Sequence, residues 1–233
     1  MAAIKQLYEL QTVDLEIDWH RARLGEIASA LGDDSALAPL RASATEGKSA
    51  VQSETVRQNA LDTIVSGYDD KIKGVETKLY SGTVTLAREL QDLQADIDMI
   101  KRQRAGQEDQ LLEVLEALES AQKTSGAAAV ALANAEAAWA ADQQAMTVEQ
   151  AVLDGEVTDL SGSRDARAAA IPAPDVALYE RTRRARKGKA VARLLVDTCE
   201  ACRTSIPTRT AQQARTSTEP IKCPNCGLIL LAG

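Results

Sequence analysis

The 233-residue sequence contains no phenylalanine, and aromatic residues of all kinds make up 3% of it. A globule of this length normally fills its interior with large aromatic and branched side chains, so the shortage argues against one compact sphere. The chain is 45% hydrophobic, but much of that is alanine, which buries little area. No uninterrupted apolar run approaches the length needed to cross a bilayer, so no membrane partner is expected. The first sixteen residues, MAAIKQLYELQTVDLE, lack an apolar core followed by a cleavage site, which excludes a secretory signal. A cytoplasmic location is expected, where four cysteines would stay reduced and favour metal over disulfides. Catalytic motifs are also missing. The single histidine, His20, sits mid-helix, no glycine-rich phosphate loop follows a strand, and no serine or cysteine nucleophile has a base. The expectation is a chain that is not an enzyme.

Charge divides the sequence. Residues 1–170 carry a net charge of −13 and residues 171–233 carry +6. The acidic part would repel nucleic acid, whereas the basic tail would attract it, or an acidic protein surface equally well.

In the acidic part the apolar residues are periodic. Leu61, Val65, Tyr68, Ile72, Val75 and Leu79 are spaced alternately by four and three. Leu86, Leu90, Leu93, Ile97 and Ile100 continue the rhythm, as do Leu111, Val114 and Leu118, and Leu10, Ile17, Leu24 and Leu31 recur every seven residues. A sustained 3.5-residue repeat keeps one stripe facing a partner helix, which is the seam of a coiled coil. Residues 1–170 are therefore expected to form an antiparallel coiled-coil hairpin, in a mainly α chain.

The one interruption between the long stripes is Tyr80-Ser81-Gly82-Thr83, which places the hairpin tip there. Glycine accepts positive φ after a helix, and serine or threonine caps the next one. With that tip, residues whose numbers sum to about 163 should face each other. Arg104 and Gln107 would then meet Glu54 and Gln58, and Trp19 would lie near Trp139. Gly32 and Pro39 would fall opposite Gly126, predicting a hinge near 32–39 and 124–128.

Near the C-terminus, Cys199-x-x-Cys202 and Cys223-x-x-Cys226 are separated by 20 residues. Two tight turns that each present two sulfurs match the tetrahedral, four-thiolate preference of zinc. Four cysteine ligands leave no open position, so one structural Zn²⁺ is expected in a small zinc ribbon over 196–233. Residues 204–207 and 227–231 read as short strands, and Thr208 to Arg215 as a helix.

Between hairpin and ribbon, Ile171-Pro172-Ala173-Pro174 ends the second long helix, and Asp175 is placed to cap a connector helix over 171–195. It carries seven basic residues within thirteen: Arg181, Arg183, Arg184, Arg186, Lys187, Lys189 and Arg193. Phosphate binding by such a cluster would be salt-sensitive and indifferent to base sequence. Pairing with an acidic protein partner or with the acidic hairpin itself is the other reading.

These features together resemble a bacterial family, the C4-type zinc-ribbon proteins with a coiled-coil hairpin. The likeness is carried by Leu79-Tyr80-Ser81-Gly82-Thr83-Val84 with Glu89-Leu90, by Tyr179-Glu180-Arg181-Thr182-Arg183, and by Cys199-Glu200-Ala201-Cys202, Ile206-Pro207 and Cys223-Pro224-Asn225-Cys226-Gly227. Members often end in Cys-Gly-Arg-Ile-Leu-Tyr. This chain has Cys226-Gly227-Leu228-Ile229-Leu230-Leu231, which removes a positive charge and an aromatic from the ribbon. The resemblance implies a non-catalytic adaptor or scaffold, with a protein client such as a transcription, secretion or motility component. Contact with RNA or DNA through the connector and ribbon is the alternative. The hairpin satisfies its own seam, so a monomer or weak dimer is expected.

Overall fold

The computed structural model describes residues 2–217 and 219–232. Helix α1 spans Ala2–Ala30, α2 Ala38–Tyr80, α3 Ala87–Ala169, α4 Ala173–Ala185 and α5 Thr208–Thr216. Three short strands, β1 (Val191–Leu195), β2 (Thr198–Cys199) and β3 (Ile229–Ala232), form one sheet in the order β2-β1-β3. The β1–β2 pair is antiparallel and the β1–β3 pair is parallel. The fold is thus a mainly helical hairpin with a small C-terminal sheet. Two compact units divide it, one of residues 1–33 with 142–233 (the foot) and one of 34–141 (the distal hairpin).

In the foot, Ile4, Leu7 and Leu10 of α1 pack with Ile171, Tyr179 of α4, and Ala190, Val191 and Ile229 of the ribbon sheet. Hairpin and ribbon therefore share one core. Two residues past the end of α1, Gly32 takes a φ of 81°, which suits a helix terminus. The Gln143 side chain seals that end, accepting from the Gly32 N–H at 2.7 Å and donating to the Ala30 carbonyl at 3.3 Å.

In the distal hairpin the buried residues are few: Leu37, Ala44, Ile72, Ile97, Val114 and Leu118. The rest of the expected stripe, Leu61, Val65, Tyr68, Val75, Leu79, Leu90, Leu93, Ile100 and Leu111, is half-buried, as a two-helix seam must leave it. α2 opens with a proline in its first turn, where the missing N–H costs nothing. Pro39 thus fits the start of a helix, after a 3₁₀ turn at Ser35–Leu37. α3 runs unbroken through residues 124–128. The close approach at that height belongs to Gly47, where an added Cβ would stand 3.0 Å from Ser125 Cα.

The structure corrects the register. Facing residues include Gly47 and Ser125, Asp69 and Arg104, Lys101 and Glu76, Arg23 and Glu149, and Asp14 and Arg164. Their numbers sum to between 172 and 178, about ten above the expected value. The cause is the tip. The chain between α2 and α3 is six residues, 81–86, rather than a tight four-residue turn. A non-helical residue advances the chain about 3.3 Å and a helical one 1.5 Å, so this segment lets α3 begin beyond the end of α2. Consequently Arg104 pairs with Asp69 and Glu108, not with Glu54, which pairs with Arg57. Leu86 leaves the seam altogether. Trp19 is 64% exposed, with its ring edge-on to His20.

The connector is also shorter than expected. α4 stops at Ala185, and Lys187 and Gly188 turn the chain with φ of 52° and 92°. Val191–Leu195, expected as helix, is instead the central strand. Its pattern explains this: Arg193 points outward between buried Ala192 and Leu194, the two-residue period of a strand. Of the ribbon strands expected, 227–231 is realised in β3, whereas 204–207 contributes one isolated bridge, Ser205 to Thr198. The short helix forms as α5. At α4 the cap is Pro172, and Asp175 lies in the first turn, where its charge favours the helix dipole.

Candidate metal centre and its basic surround

The two CxxC segments fold as matching turns. In the first, the Arg203 N–H donates to the Cys199 carbonyl at 2.8 Å and the Cys199 N–H to the Thr204 carbonyl at 3.1 Å. In the second, the Gly227 N–H donates to the Cys223 carbonyl at 2.9 Å and the Cys223 N–H to the Leu228 carbonyl at 2.8 Å. Each turn leaves through a positive φ, 54° at Arg203 and 73° at Gly227. Glycine reaches that conformation freely, whereas an arginine there is uncommon.

The four sulfurs converge. All Sγ atoms lie within 4.8 Å of one another, and the Cys199–Cys226 and Cys202–Cys223 pairs are each 3.8 Å apart. Tetrahedral vertices about 2.3 Å from a central zinc are separated by about 3.8 Å, so the donor set fits the ion. Cys199, Cys202, Cys223 and Cys226 therefore hold one structural zinc. Hydrogen bonds from Thr204 and Asn225, above all, bring the Cys202 thiol down to about 6. Burial pushes Cys226 up to about 12 and also raises Cys199, despite backbone donors from Ala201 and Cys202. Without a cation these buried thiols would keep their protons. The metal's charge is what makes four thiolates tenable in so small a core. Around them Ala192, Leu194, Ile206, Ala211, Ala214, Leu228 and Leu230 complete the ribbon interior.

Two polar devices on α1 join the ribbon to the hairpin. The Gln11 side chain donates to the Val191 carbonyl at 2.9 Å and accepts from the Ala190 and Val191 N–H groups at 2.6 and 2.7 Å. One side chain thus satisfies three buried backbone groups of β1 and its approach. One turn further, buried Asp14 accepts from the Tyr179 hydroxyl at 2.7 Å and from Arg164 Nε at 3.2 Å. Burial raises the Tyr179 hydroxyl well above its usual range, helped by the Asp14 carboxylate, so it remains a donor. Arg164 also bonds Glu180. Neither Gln11 nor Asp14 was expected from the sequence. The available signal was the series Leu7, Gln11, Asp14, Asp18, a seam-like spacing with polar members beside an apolar stripe.

The seven basic residues separate. Arg183 donates to Asp18 at 2.7 Å and approaches Asp14 at 3.7 Å. The Arg193 guanidinium lies 4.9 Å from the centre of the Tyr8 ring, a cation–π contact. Arg186 lies against the second knuckle, its terminal nitrogen 3.2 Å from where a Cβ on Gly227 would stand. Arg186, Lys187 and Lys189 line a cleft of about 340 Å³ with Ala185, Ala201, Cys226 and Leu228. Three cations there offset the net −2 of a zinc tetrathiolate. Arg181 and Arg184 are exposed on α4. At the tip, Gly82 takes a φ of 72°, and the Ser81 hydroxyl donates to the Lys78 carbonyl at 2.8 Å and contacts the Thr83 hydroxyl at 2.6 Å. Tyr80 closes α2 with its side chain exposed.

Comparison with known proteins now decides the family. Residues 10–188 match the CT398-like coiled coil hairpin domain, and residues 198–230 match the C4-type zinc ribbon domain. The chain belongs to the CT398-like hairpin family. An uncharacterized protein of Mycobacterium tuberculosis is 32% identical over 239 residues, covering 99% of this chain and 96% of that protein. The structure of CT398 from Chlamydia trachomatis superposes with a TM-score of 0.68 at 15% identity, covering 100% of this chain and 98% of that one. A structure from Mycobacterium smegmatis gives 0.60 at 26% identity, covering 98% of both chains. The HP0958 protein of Helicobacter pylori gives 0.53 at 18%, covering 99% and 97%. The CT398-like fold thus covers both parts, the hairpin and the ribbon. Among the described residues, no helix is long and apolar enough to cross a membrane.

Proposed function

We propose that this CT398-like protein is a non-catalytic adaptor that works through protein–protein contacts in the cytoplasm. The observation that carries this reading is the employment of the foot's polar groups. All four cysteines serve a closed metal site, and Gln11, Asp14, Tyr179, Arg164 and Arg183 bond one another or the backbone. A metal without an open position supports structure, not turnover. The resemblance drawn from the sequence favours a transcription, secretion or motility component as the client.

Photocrosslinking from the full chain in cells, followed by mass spectrometry, tests the reading. Discrete protein adducts are expected, and adducts with nucleic acid alone would overturn it. One observation favours a second reading, nucleic-acid binding: Arg181, Arg184, Lys187 and Lys189 are exposed, two of them at the 340 Å³ cleft. Titration with RNA and DNA at two salt concentrations separates the two. Affinity falling steeply with salt, and lost when these four are neutralised, supports the second reading. Absence of binding at low salt removes it.

A further inference from the structure

The tip carries more than its turn requires. Gly82, Ser81 and Thr83 supply the positive φ and the hydrogen bonds of the reversal. Tyr80 and Leu86 take no part in those bonds, yet they stand 79% and 61% exposed on either side of it. Tyr80 ends α2 and Leu86 closes the six-residue reversal, and burying two such side chains would release apolar surface from water.

The same end of the hairpin carries a cleft of about 370 Å³, lined by Lys78, Thr83, Val84, Glu89, Asp92, Leu93 and Asp96. Val84 and Leu93 give it apolar surface, and three carboxylates face one lysine. Glu89 has a local explanation, since it lies in the first turn of α3 and complements the helix dipole. Asp92 and Asp96 lie beyond that turn, one helical turn apart on the same face. Among the described residues none of the three carboxylates is in an ion pair, although Lys101, Arg104 and Arg57 further along pair with acidic neighbours.

We infer that the hairpin tip docks a basic, amphipathic segment of a partner protein, its apolar side chains on Tyr80, Leu86, Val84 and Leu93 and its lysines or arginines on Asp92 and Asp96. The inference rests on the adaptor reading and names its surface. Charge complementarity selects the occupant: an acidic segment or a phosphate backbone would meet net negative charge here. The contact of an apolar stripe with flanking cations is the helix-in-groove mode of peptide recognition.

Two fluorescent 15-residue peptides serve as probes, one of alternating leucine and lysine pairs and one with glutamate in place of lysine. Anisotropy against the full zinc-loaded chain should show the basic peptide bound and the acidic peptide not. The double variant Asp92→Lys with Asp96→Lys should weaken binding at least ten-fold, and Tyr80→Ser with Leu86→Ser by a similar factor. All four positions are at least half-exposed or lie outside the seam, so helical circular dichroism should be unchanged. The control is Glu116→Lys with Glu119→Lys, exposed carboxylates on the same helix away from the tip. Equal weakening by the control would reduce the effect to bulk acidity and overturn the inference, as would binding of the acidic peptide. Photocrosslinking in cells from position 80 and from position 116 separates this inference from the adaptor reading. Protein adducts from 116 but none from 80 would sink the tip site and leave the adaptor standing; adducts from 80 alone support both.

Discussion

The foot and the distal hairpin have only α3 in common among the long helices and are held by different means. In the foot, side chains from α1, α3, α4 and the sheet meet in a three-dimensional core, and buried polar groups join segments 150 to 180 residues apart in sequence. In the distal hairpin a single stripe is half-covered, and its ion pairs lie at the surface. Stability in the foot should therefore be cooperative and sensitive to single buried groups. The distal hairpin should resemble a sum of small, local terms.

The largest difference should follow metal removal. Structural zinc contributes on the order of 10 kcal/mol to domains this small, so chelation or Cys223→Ser should unfold the ribbon. Because Ile229 and Val191 are part of the hairpin's own foot core, α1 should loosen with it. Hydrogen exchange should accelerate at residues 4–14 and 190–230 while 50–120 stay protected. Unchanged exchange at 4–14 would show that hairpin and ribbon are energetically separate. The pH dependence has a definite sign. Binding zinc requires thiolates, and burial favours the protonated form of Cys199 and Cys226. Metal is therefore retained at higher pH and released as pH falls, at a pH that free zinc in excess moves downward.

The next effect probes the buried polar joints. Asp14→Ala leaves Arg164 and Arg183 with a lost partner in a mostly buried site. Breaking such a pair costs about 3–5 kcal/mol. Gln11→Ala strands three backbone groups of the β1 approach and should cost about 1–3 kcal/mol. Urea unfolding of the zinc-loaded chain measures both. A loss below 1 kcal/mol for Asp14→Ala would mean the foot is no more cooperative than the seam.

Much of this contrast was legible in the sequence. Leu61 to Leu79 announced a seam by spacing alone, because a helix pair depends on local periodicity. The cysteines announced their geometry through chemistry that admits few alternatives. What escaped depended on non-local facts. The register missed by about ten because the extended residues after Gly82 look, in sequence, like the start of the next helix. Val191–Leu195 was hidden behind a run of arginines and lysines, its strand character set by pairing with Ile229–Ala232, some 38 residues away. Gln11 and Asp14 acquire their roles only when β1 and Tyr179 arrive beside them.

A smaller effect belongs to one backbone position. Gly227→Val places a β-branched residue at a φ of 73°, with the Arg186 guanidinium 3.2 Å from its Cβ. The left-handed conformation alone costs about 1–2 kcal/mol. Arg186 is the end of a flexible side chain and can move aside. The expectation is a fall in zinc affinity of roughly ten-fold, since RT ln 10 is about 1.4 kcal/mol. Competition with a chromophoric chelator reads it. Arg203→Gly, at the equivalent place in the first knuckle, should leave affinity unchanged or raise it slightly.

The smallest effect sharpens the comparison most, because it asks whether an ion pair means the same thing in both regions. Asp69 and Arg104 face each other across the distal hairpin at 3.1 Å, each more than a third exposed. Exposed pairs are usually worth less than about 1 kcal/mol, since water screens them and two side chains must be held still. Asp14 and Arg164 in the foot are separated by nearly the same distance, 3.2 Å, but Asp14 is buried. A double-mutant cycle with Asp69→Asn and Arg104→Gln should give a coupling below about 0.5 kcal/mol, shrinking in 1 M salt. The cycle with Asp14→Asn and Arg164→Gln should give a coupling several times larger and nearly independent of salt. Equal couplings would mean that burial is not what distinguishes the two regions, and that the foot owes its cohesion to zinc and apolar packing alone.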